Sequence, residues 1–168
     1  MAFSKINAEA LSGNVFERIG KQWMLISAQA DGRANAMTAS WGGLGVLWHK
    51  NVATCYIRPQ RFTLQLVDKA DRFALTFLPE TCREALRYLG TVSGYQEDKQ
   101  TGCGLTPMML DGVPSYEEAE LVLICRKIYT DTIKPENFLD ETIAQNYPNK
   151  DYHRVFIGQI EAVYEKTC

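Results

Sequence analysis

The pair Asp31-Gly32 stands between two apolar segments and constrains the fold more than any other local feature. WMLISA (23–28) has the composition of a β-strand, and QADGRA (29–34) then supplies the Asp-Gly pair typical of a tight hairpin turn. NAMTASWGGLGVLW (35–48) follows as the expected return strand. The start of the chain therefore predicts two antiparallel neighbouring strands.

The remaining strand and helix patterns do not alternate regularly. Strand patterns lie at 51–59, 72–79, 117–133 and 151–165. Helix patterns lie at 63–71, with Thr63 as the expected N-cap, and at 80–90, with Gly90 as the expected C-cap. A polar loop is expected at 91–104, and short helical segments at 134–140 and 141–147. Because strands and helices do not alternate, a parallel doubly wound sheet is disfavoured. We predict a mainly β fold with helical insertions, arranged as an antiparallel barrel.

Length and composition limit the class of protein. The 168 residues suit one domain over 1–168, and 46% hydrophobic with 23% charged residues is ordinary for a globular chain. A net charge of -2 disfavours a general nucleic-acid binder. Neither a signal peptide nor a membrane span is predicted, so we expect a cytoplasmic protein. Five cysteines without C-x-x-C spacing, and only two histidines, predict neither a disulfide framework nor a metal site.

The segment 35–48 carries an unusual set of small residues for a strand. Alternation places Ala36, Thr38, Ser40 and Gly42 on one face, and Met37, Ala39, Trp41 and Gly43 on the other. The first face could accept a flat ligand with polar edges. Alternation alone favours the simpler interpretation, a tightly packed sheet surface with a glycine bulge, and leaves the ligand surface as the alternative. The glycines do not form the G-x-G-x-x-G pattern of a dinucleotide fold.

A second candidate site is RPQRFT (58–63), where two arginines and a threonine flank the expected start of a helix. The guanidinium groups of Arg58 and Arg61 match phosphate oxygens, and a helix N-terminus adds amide donors and a favourable dipole. A surface turn with two solvated arginines is the alternative. Lys99, in the loop SGYQEDKQ, could add a third cation or pair with Asp98, and His153 could contact a ligand or be structural.

The sequence contains no G-x-S-x-G, P-loop or H-E-x-x-H motif. No cue pairs either histidine with a cysteine for nucleophilic catalysis. Any redox chemistry would therefore come from a bound cofactor.

Four ordered segments, NAMTASWGGLGVLW, VATCYIRPQRFT, LGTVSGYQEDK and DYHRVFIGQIEAVY, together resemble the flavin reductase-like proteins, near the flavoredoxin branch. The resemblance covers roughly residues 20–165. It implies a Greek-key split β-barrel, a homodimer, and FMN bound near the dimer interface. One feature departs from many flavin reductases, which carry a proline pair where this chain has His49, Lys50 and Asn51.

The resemblance also implies roles for individual positions. The flavin would be bound along 37–41, with Met37, Thr38, Ala39 and Ser40 lining the isoalloxazine and Trp41 beside them. Its phosphate would be held by Arg58, Arg61 and Thr63, with Lys99 assisting. His153 would lie near the flavin as the one candidate catalytic residue, and Gly158 would permit close packing of the last strand.

The implied activity is that of an FMN-dependent oxidoreductase. Flavin N5 would accept hydride from NAD(P)H and pass electrons to a flavin, a metal complex or a protein acceptor. Both an NAD(P)H:flavin reductase and a flavoredoxin-type electron carrier fit this description. A non-catalytic FMN-binding module, or a β-barrel interaction protein without a ligand, remains an alternative.

Overall fold

A computed structural model describes residues 2–167. Its strands are β1 (Phe3–Ile6), β2 (Met24–Ala30), β3 (Arg33–Ala39), β4 (Gly42–Leu47), β5 (Lys50–Ile57), β6 (Arg72–Phe77), β7 (Pro107–Leu110), β8 (Val113–Tyr116), β9 (Leu121–Thr132) and β10 (Arg154–Lys166). Its α-helices are α1 (Val15–Glu17), α2 (Phe62–Lys69), α3 (Arg83–Thr91) and α4 (Lys99–Gly102). A π-helical turn (Arg18–Gln22) and 3-10 turns (Ala8–Ala10, Glu80–Cys82, Pro135–Asn137, Glu141–Asn146) complete the helical segments.

Eight strands form one antiparallel sheet in the order β3-β2-β6-β9-β10-β5-β4, with β1 paired to the second half of β10. The hairpin of β7 and β8 forms a separate small sheet. The two end strands of the main path, β3 and β4, follow each other in the chain with only Ser40 and Trp41 between them. So short a link spans roughly 11 Å at most, so the sheet must curl until its two edges approach each other there.

Apolar side chains fill both faces of the central strands. Along β2, Leu25 packs into one buried cluster and Ile26 into another. The cluster around Ile26 fills the barrel, and the cluster around Leu25 lies beneath α3 and the β7–β8 hairpin. This double burial explains why WMLISA is continuously apolar rather than alternating. The structure confirms the predicted mainly β fold with helical insertions.

Two glycines permit close approaches between strands. A Cβ on Gly158 would lie 2.7 Å from Cys125 Cβ, at a register shift between β9 and β10. This confirms the predicted role of Gly158. A Cβ on Gly42 would lie 2.8 Å from the carbonyl oxygen of Thr54, whereas Gly43 and Gly45 face open space. Of the three glycines in the opening segment, packing therefore requires only Gly42.

The structure corrects three local predictions. Segment 35–48 is not one return strand, because β3 ends at Ala39 and β4 leaves to pair with β5. The N-cap of α2 is Arg61 rather than Thr63, which lies buried in the first turn of the helix. Gly90 lies inside α3, whose C-cap is Val92. The predicted turn at Asp31-Gly32 is confirmed, and both residues have positive φ.

Candidate flavin site

Two adjoining cavities lie where β3 ends and where α2 and α3 meet the barrel. The strand-link cavity has a volume of about 200 Å³ and is lined by Met37, Thr38, Ala39, Ser40, Trp41, Tyr56, Arg58, Arg61 and His153. The helix-end cavity has a volume of about 360 Å³ and is lined by Asn35, Met37, Arg58, Gln60, Arg61, Phe62, Thr63, Thr91, Val92, Ser93, Gly94 and Lys99. Because Met37, Arg58 and Arg61 line both, the two cavities form one continuous groove.

The wall of the strand-link cavity is the segment 37–41, where β3 ends and the chain crosses to β4. Ser40 and Trp41 belong to neither strand, so their backbone groups are not used in either ladder. Such free amides and carbonyls can bind the polar edge of a flat ligand. The strand break that the sequence analysis did not predict is therefore what exposes backbone to this cavity.

The small face of β3 is covered by α3. Ala36 packs in the cluster with Leu86, and Thr38 Oγ1 donates a 2.5 Å hydrogen bond to the Leu86 carbonyl oxygen. A Cβ on Gly90 would lie 3.2 Å from Thr38 Cβ. The small residues at 36 and 38 are thus explained by helix packing. A contact of the Thr38 hydroxyl with flavin stays a prediction.

Two cations in the helix-end cavity are held by the C-terminal end of α3. Arg61 Nη2 donates to the Gly90 carbonyl oxygen over 2.8 Å, and Lys99 Nζ donates to the Leu89 carbonyl oxygen over 2.8 Å. The last carbonyls of a helix lack partners within it, and its dipole favours positive charge there. The end of α3 therefore positions both cations.

The N-terminus of α2 faces the same cavity. Its N-cap, Arg61, makes no capping hydrogen bond through its side chain. Thr63 Oγ1 accepts a 2.8 Å hydrogen bond from Asn35 Nδ2, so its own O–H remains available to donate. Helix N-terminal amides and a hydroxyl donor are suited to an anion.

The electrostatics of this cavity favour a negatively charged ligand. Within residues 2–167, neither Arg61 nor Lys99 forms an ion pair with a carboxylate. Burial, and then the charge of Arg61, lowers the pKa of Lys99 to about 8. Burial, and then the charge of Arg58, lowers the pKa of Arg61. Buried charges are costly unless paired, so an anion such as a phosphate fits the site.

Arg58 differs from Arg61 because it already has a carboxylate partner. Its Nη1 lies 2.9 Å from Asp151 Oδ2, and its Nη2 donates to the Asn146 carbonyl oxygen over 3.0 Å. Gln60 Nε2 donates to the same Asp151 oxygen over 2.9 Å. The guanidinium of Arg58 is therefore occupied by the chain segment that precedes β10.

His153 also lines the strand-link cavity, and its side chain is largely buried among aromatic rings. Its ring centroid is 5.1 Å from that of Trp41 and 5.5 Å from that of Tyr147. Nδ1 lies 2.8 Å from Tyr147 Oη. Burial, and then the charge of Arg58, lowers the pKa of His153 to about 4. The imidazole is therefore neutral at pH 7 and can act as a hydrogen-bond partner without adding charge.

A third cavity of about 690 Å³ continues the groove on the other side of Ser40, Trp41 and Tyr56. Its remaining lining is mostly apolar, and comes from Val15, Phe16, Ile19, Gly20, Gly42, Gly43, Leu44 and Ile133. Phe16 is 88% exposed at its rim. An exposed apolar surface of this kind is typical of a region that contacts another molecule.

All ten candidate site residues from the sequence line the strand-link or the helix-end cavity. Thr63 and Lys99 line the helix-end cavity. The other eight line the strand-link cavity: Met37, Thr38, Ala39, Ser40, Trp41, Arg58, Arg61 and His153. Sequence reasoning missed Asn35, Tyr56, Gln60 and Tyr147. Asn35 shares a strand face with Met37, so alternation could have indicated it. Tyr147 and Gln60 gave no local signal, because their roles depend on contacts across the fold.

A metal site and a membrane-spanning helix are both absent from the described part of the chain, and its buried Cys55 is not a reactive cysteine. Residues 2–167 contain no cluster of three or more histidine, cysteine or acidic residues able to hold a metal ion. Burial raises the pKa of the Cys55 thiol to about 12, consistent with its predicted role as a small core residue. None of the helices in this part of the chain combines the length and hydrophobicity that a membrane span requires.

Comparison with known proteins identifies the family. The sequence profile described as "Flavin reductase like domain" matches residues 16–168. The chain therefore belongs to the flavin reductase-like family, as its sequence resemblance implied. A search of curated protein sequences found no significant match.

Solved structures show the same fold. The FMN-binding domain of a flavin reductases-like enzyme from Shewanella baltica OS155 has a TM-score of 0.72 and 16% identity, covering 98% of this chain and 77% of that one. The FMN-binding protein of Thermus thermophilus with bound 1-cyclohex-2-enone has a TM-score of 0.70 and 23% identity, covering 95% and 79%. Flavoredoxin of Desulfovibrio vulgaris (Miyazaki F) has a TM-score of 0.67 and 21% identity, covering 86% and 69%. The predicted split β-barrel is confirmed.

Proposed function

We propose that this protein is an FMN-dependent oxidoreductase, acting as an NAD(P)H:flavin reductase or as a flavoredoxin-type electron carrier. The observation that carries the proposal is a pair of cations, the half-buried Arg61 and the buried Lys99, without carboxylate partners among the described residues. They lie at one end of a groove whose other end exposes the backbone of 37–41. A phosphate joined to a flat polar ring system matches this arrangement, and FMN has that form.

In this proposal the helix-end cavity holds the phosphate. Arg61 contributes a guanidinium fork, Lys99 a point charge and Thr63 a hydroxyl donor, while the N-terminal amides of α2 add further donors. Arg58 contributes positive potential, but its hydrogen bonds go to Asp151 and Asn146. Of the phosphate ligands expected from the sequence, the proposal therefore keeps Arg61, Thr63 and Lys99 as direct contacts and leaves out Arg58.

The strand-link cavity would hold the isoalloxazine against the backbone of 37–41. Bound FMN would supply the redox chemistry, accepting hydride at N5 and passing electrons onward. The chain itself orients the ring, with Trp41 and Tyr56 limiting access of water on one side. The neutral imidazole of His153 offers a hydrogen bond to a ligand without competing for the phosphate.

Three further features belong to the same proposal. NADH or NADPH would be the electron donor, and a flavin, metal complex or protein the acceptor. We infer a homodimer, because Phe16 and Trp41 expose apolar surface beside the groove. A cytoplasmic location and a single domain over residues 1–168 complete the proposal.

Rapid mixing tests the proposed activity. Protein loaded with FMN should lose its visible flavin absorption when NADH or NADPH is added without oxygen, and should recover it when an electron acceptor follows. Loaded protein that keeps its absorption with both nucleotides would contradict the reductase assignment. Reduction by dithionite under the same conditions would then show a functional flavin with a different donor, or a non-catalytic FMN-binding module.

A further inference from the structure

The chain segment between the last 3-10 turn and β10 is fastened to the end of β5. Arg58 Nη1 lies 2.9 Å from Asp151 Oδ2, and Arg58 Nη2 lies 3.0 Å from the Asn146 carbonyl oxygen. Gln60 Nε2 lies 2.9 Å from the same Asp151 oxygen. Three hydrogen bonds, two of them to one carboxylate oxygen, thus fix both ends of 146–151 against the cavity wall.

Between these two fastened points lies Tyr147, which contacts the candidate catalytic histidine. Tyr147 is buried, and its hydroxyl lies 2.8 Å from His153 Nδ1. The guanidinium of Arg58 stands 5.1 Å from the centroid of the Tyr147 ring. Phe138 stacks on its ring, with centroids 6.0 Å apart. Contacts with His153, Arg58 and Phe138 therefore fix the position of the Tyr147 side chain.

We propose that Tyr147 and Arg58 are positioning residues for His153. Arg58 holds the segment 146–151 in place, and Tyr147 donates its O–H to His153 Nδ1. The imidazole proton then resides on Nε2, the nitrogen that remains for a ligand in the strand-link cavity. The inference deepens the proposed function and rests on it for the identity of the ligand, but the hydrogen-bond arrangement itself requires no cofactor.

The surroundings of His153 keep its ring in the neutral form that this arrangement requires. The charged and titratable groups that face it are Tyr56 from β5, Arg58 directly after β5, and Tyr147 and Asp151 from the connecting segment. Burial and Arg58 lower the pKa of His153, and Asp151 raises it by a smaller amount. A neutral ring has one nitrogen that accepts and one that donates, so a partner on Nδ1 fixes the role of Nε2.

Nitrogen NMR of the full chain without flavin tests the arrangement directly. The chain has only two histidines, and the exposed His49 provides an internal reference signal. We expect His153 to show the Nε2–H tautomer near pH 7 and to protonate well below the range of an ordinary histidine. Detection of the Nδ1–H tautomer in the wild-type protein would overturn the inference.

Two variants separate the effects of Tyr147 and Arg58 on the protonation of His153. Tyr147→Phe removes the donor to Nδ1, and Arg58→Ala removes a repelling charge and releases Asp151. Both should raise the protonation midpoint of His153, whereas Tyr164→Phe should leave it unchanged. Tyr164 is a matched control because its hydroxyl bonds to Asp111 on the surface, outside the groove. Midpoints that stay at the wild-type value in both test variants would contradict the proposal.

Kinetics of the FMN-loaded protein provide the second readout. Tyr147→Phe should slow flavin reduction by NADH or NADPH on the order of tenfold to a hundredfold, with FMN affinity kept within about twofold. Equal loss of rate and of FMN affinity would instead indicate a structural role and overturn the inference. Should the wild-type protein bind no FMN, the proposed function fails, while the NMR result still decides the hydrogen-bond arrangement.

Arg58→Lys retains the charge but not the forked contact with Asp151 and Asn146. Its protonation midpoint for His153 should therefore lie between those of the wild-type protein and Arg58→Ala.

Discussion

Arg58 and Arg61 are three residues apart in the chain, and their surroundings give them different partners. Arg58 is paired with Asp151, 93 positions further along the sequence. Arg61 is bound by the helix carbonyl of Gly90 and has no carboxylate partner among the described residues. The sequence motif R-P-Q-R-F-T presents both arginines as equivalent phosphate ligands. Only the tertiary fold distinguishes Arg58, which is paired with a carboxylate, from Arg61, which is the proposed phosphate ligand.

The protonation state of Lys99 should make FMN affinity depend on pH. Its pKa of about 8 means that it loses its proton in the free protein as the pH rises through that value. A bound phosphate favours the charged form, so FMN affinity should fall as the pH rises from 7 to 9.5. Fluorescence titration of FMN at each pH measures this decline.

Two substitutions check that Lys99 causes the pH dependence. Lys99→Arg should flatten the decline, because a guanidinium stays charged over this range, and Lys99→Met should bind FMN weakly at every pH. A wild-type decline that persists unchanged in Lys99→Met would assign the effect to another group.

At the scale of elements, the candidate site is the meeting point of two helix ends and one strand break. The end of α3 binds the cations, the start of α2 supplies free amides, and the break between β3 and β4 exposes backbone. The sequence predicted both helices to within a few residues, because their apolar spacing is clear. It did not predict the break, because the one turn-forming pair in NAMTASWGGLGVLW, Gly42-Gly43, lies within β4 and no proline or turn pair marks Ser40 and Trp41.

Two local features, a short hairpin and a tight turn, were also missed by sequence reasoning. The hairpin of β7 (Pro107–Leu110) and β8 (Val113–Tyr116) had a turn pair, Asp111-Gly112, but its strands are only four residues long. The turn at Trp48 and His49 has positive φ at both residues, without a glycine. Glycine, asparagine and aspartate are the usual residues of such a turn, so local propensity gives only a weak signal for this tight link between β4 and β5.

At the scale of the whole molecule, the apolar cavity beside the groove predicts self-association. Phe16 is 88% exposed at the rim of this cavity, and Trp41, which also lines it, is 44% exposed. Sedimentation equilibrium should give a mass near twice the 19.0 kDa of one chain. Phe16→Ser should weaken the dimer, whereas Leu139→Ser, at an exposed leucine outside this cavity, should leave it intact. A monomeric wild-type protein at micromolar concentration would exclude this interface.

Calorimetric titration with FMN and with riboflavin tests whether Arg61 and its neighbours bind the phosphate of FMN. The two ligands differ only in that phosphate. We expect FMN to bind about ten to a hundred times more tightly, since a charge-assisted hydrogen bond contributes about 1.5–3 kcal/mol. Arg61→Ala should remove most of the difference and change riboflavin affinity little. Equal affinity for the two ligands in the wild-type protein would rule out a phosphate site at Arg61.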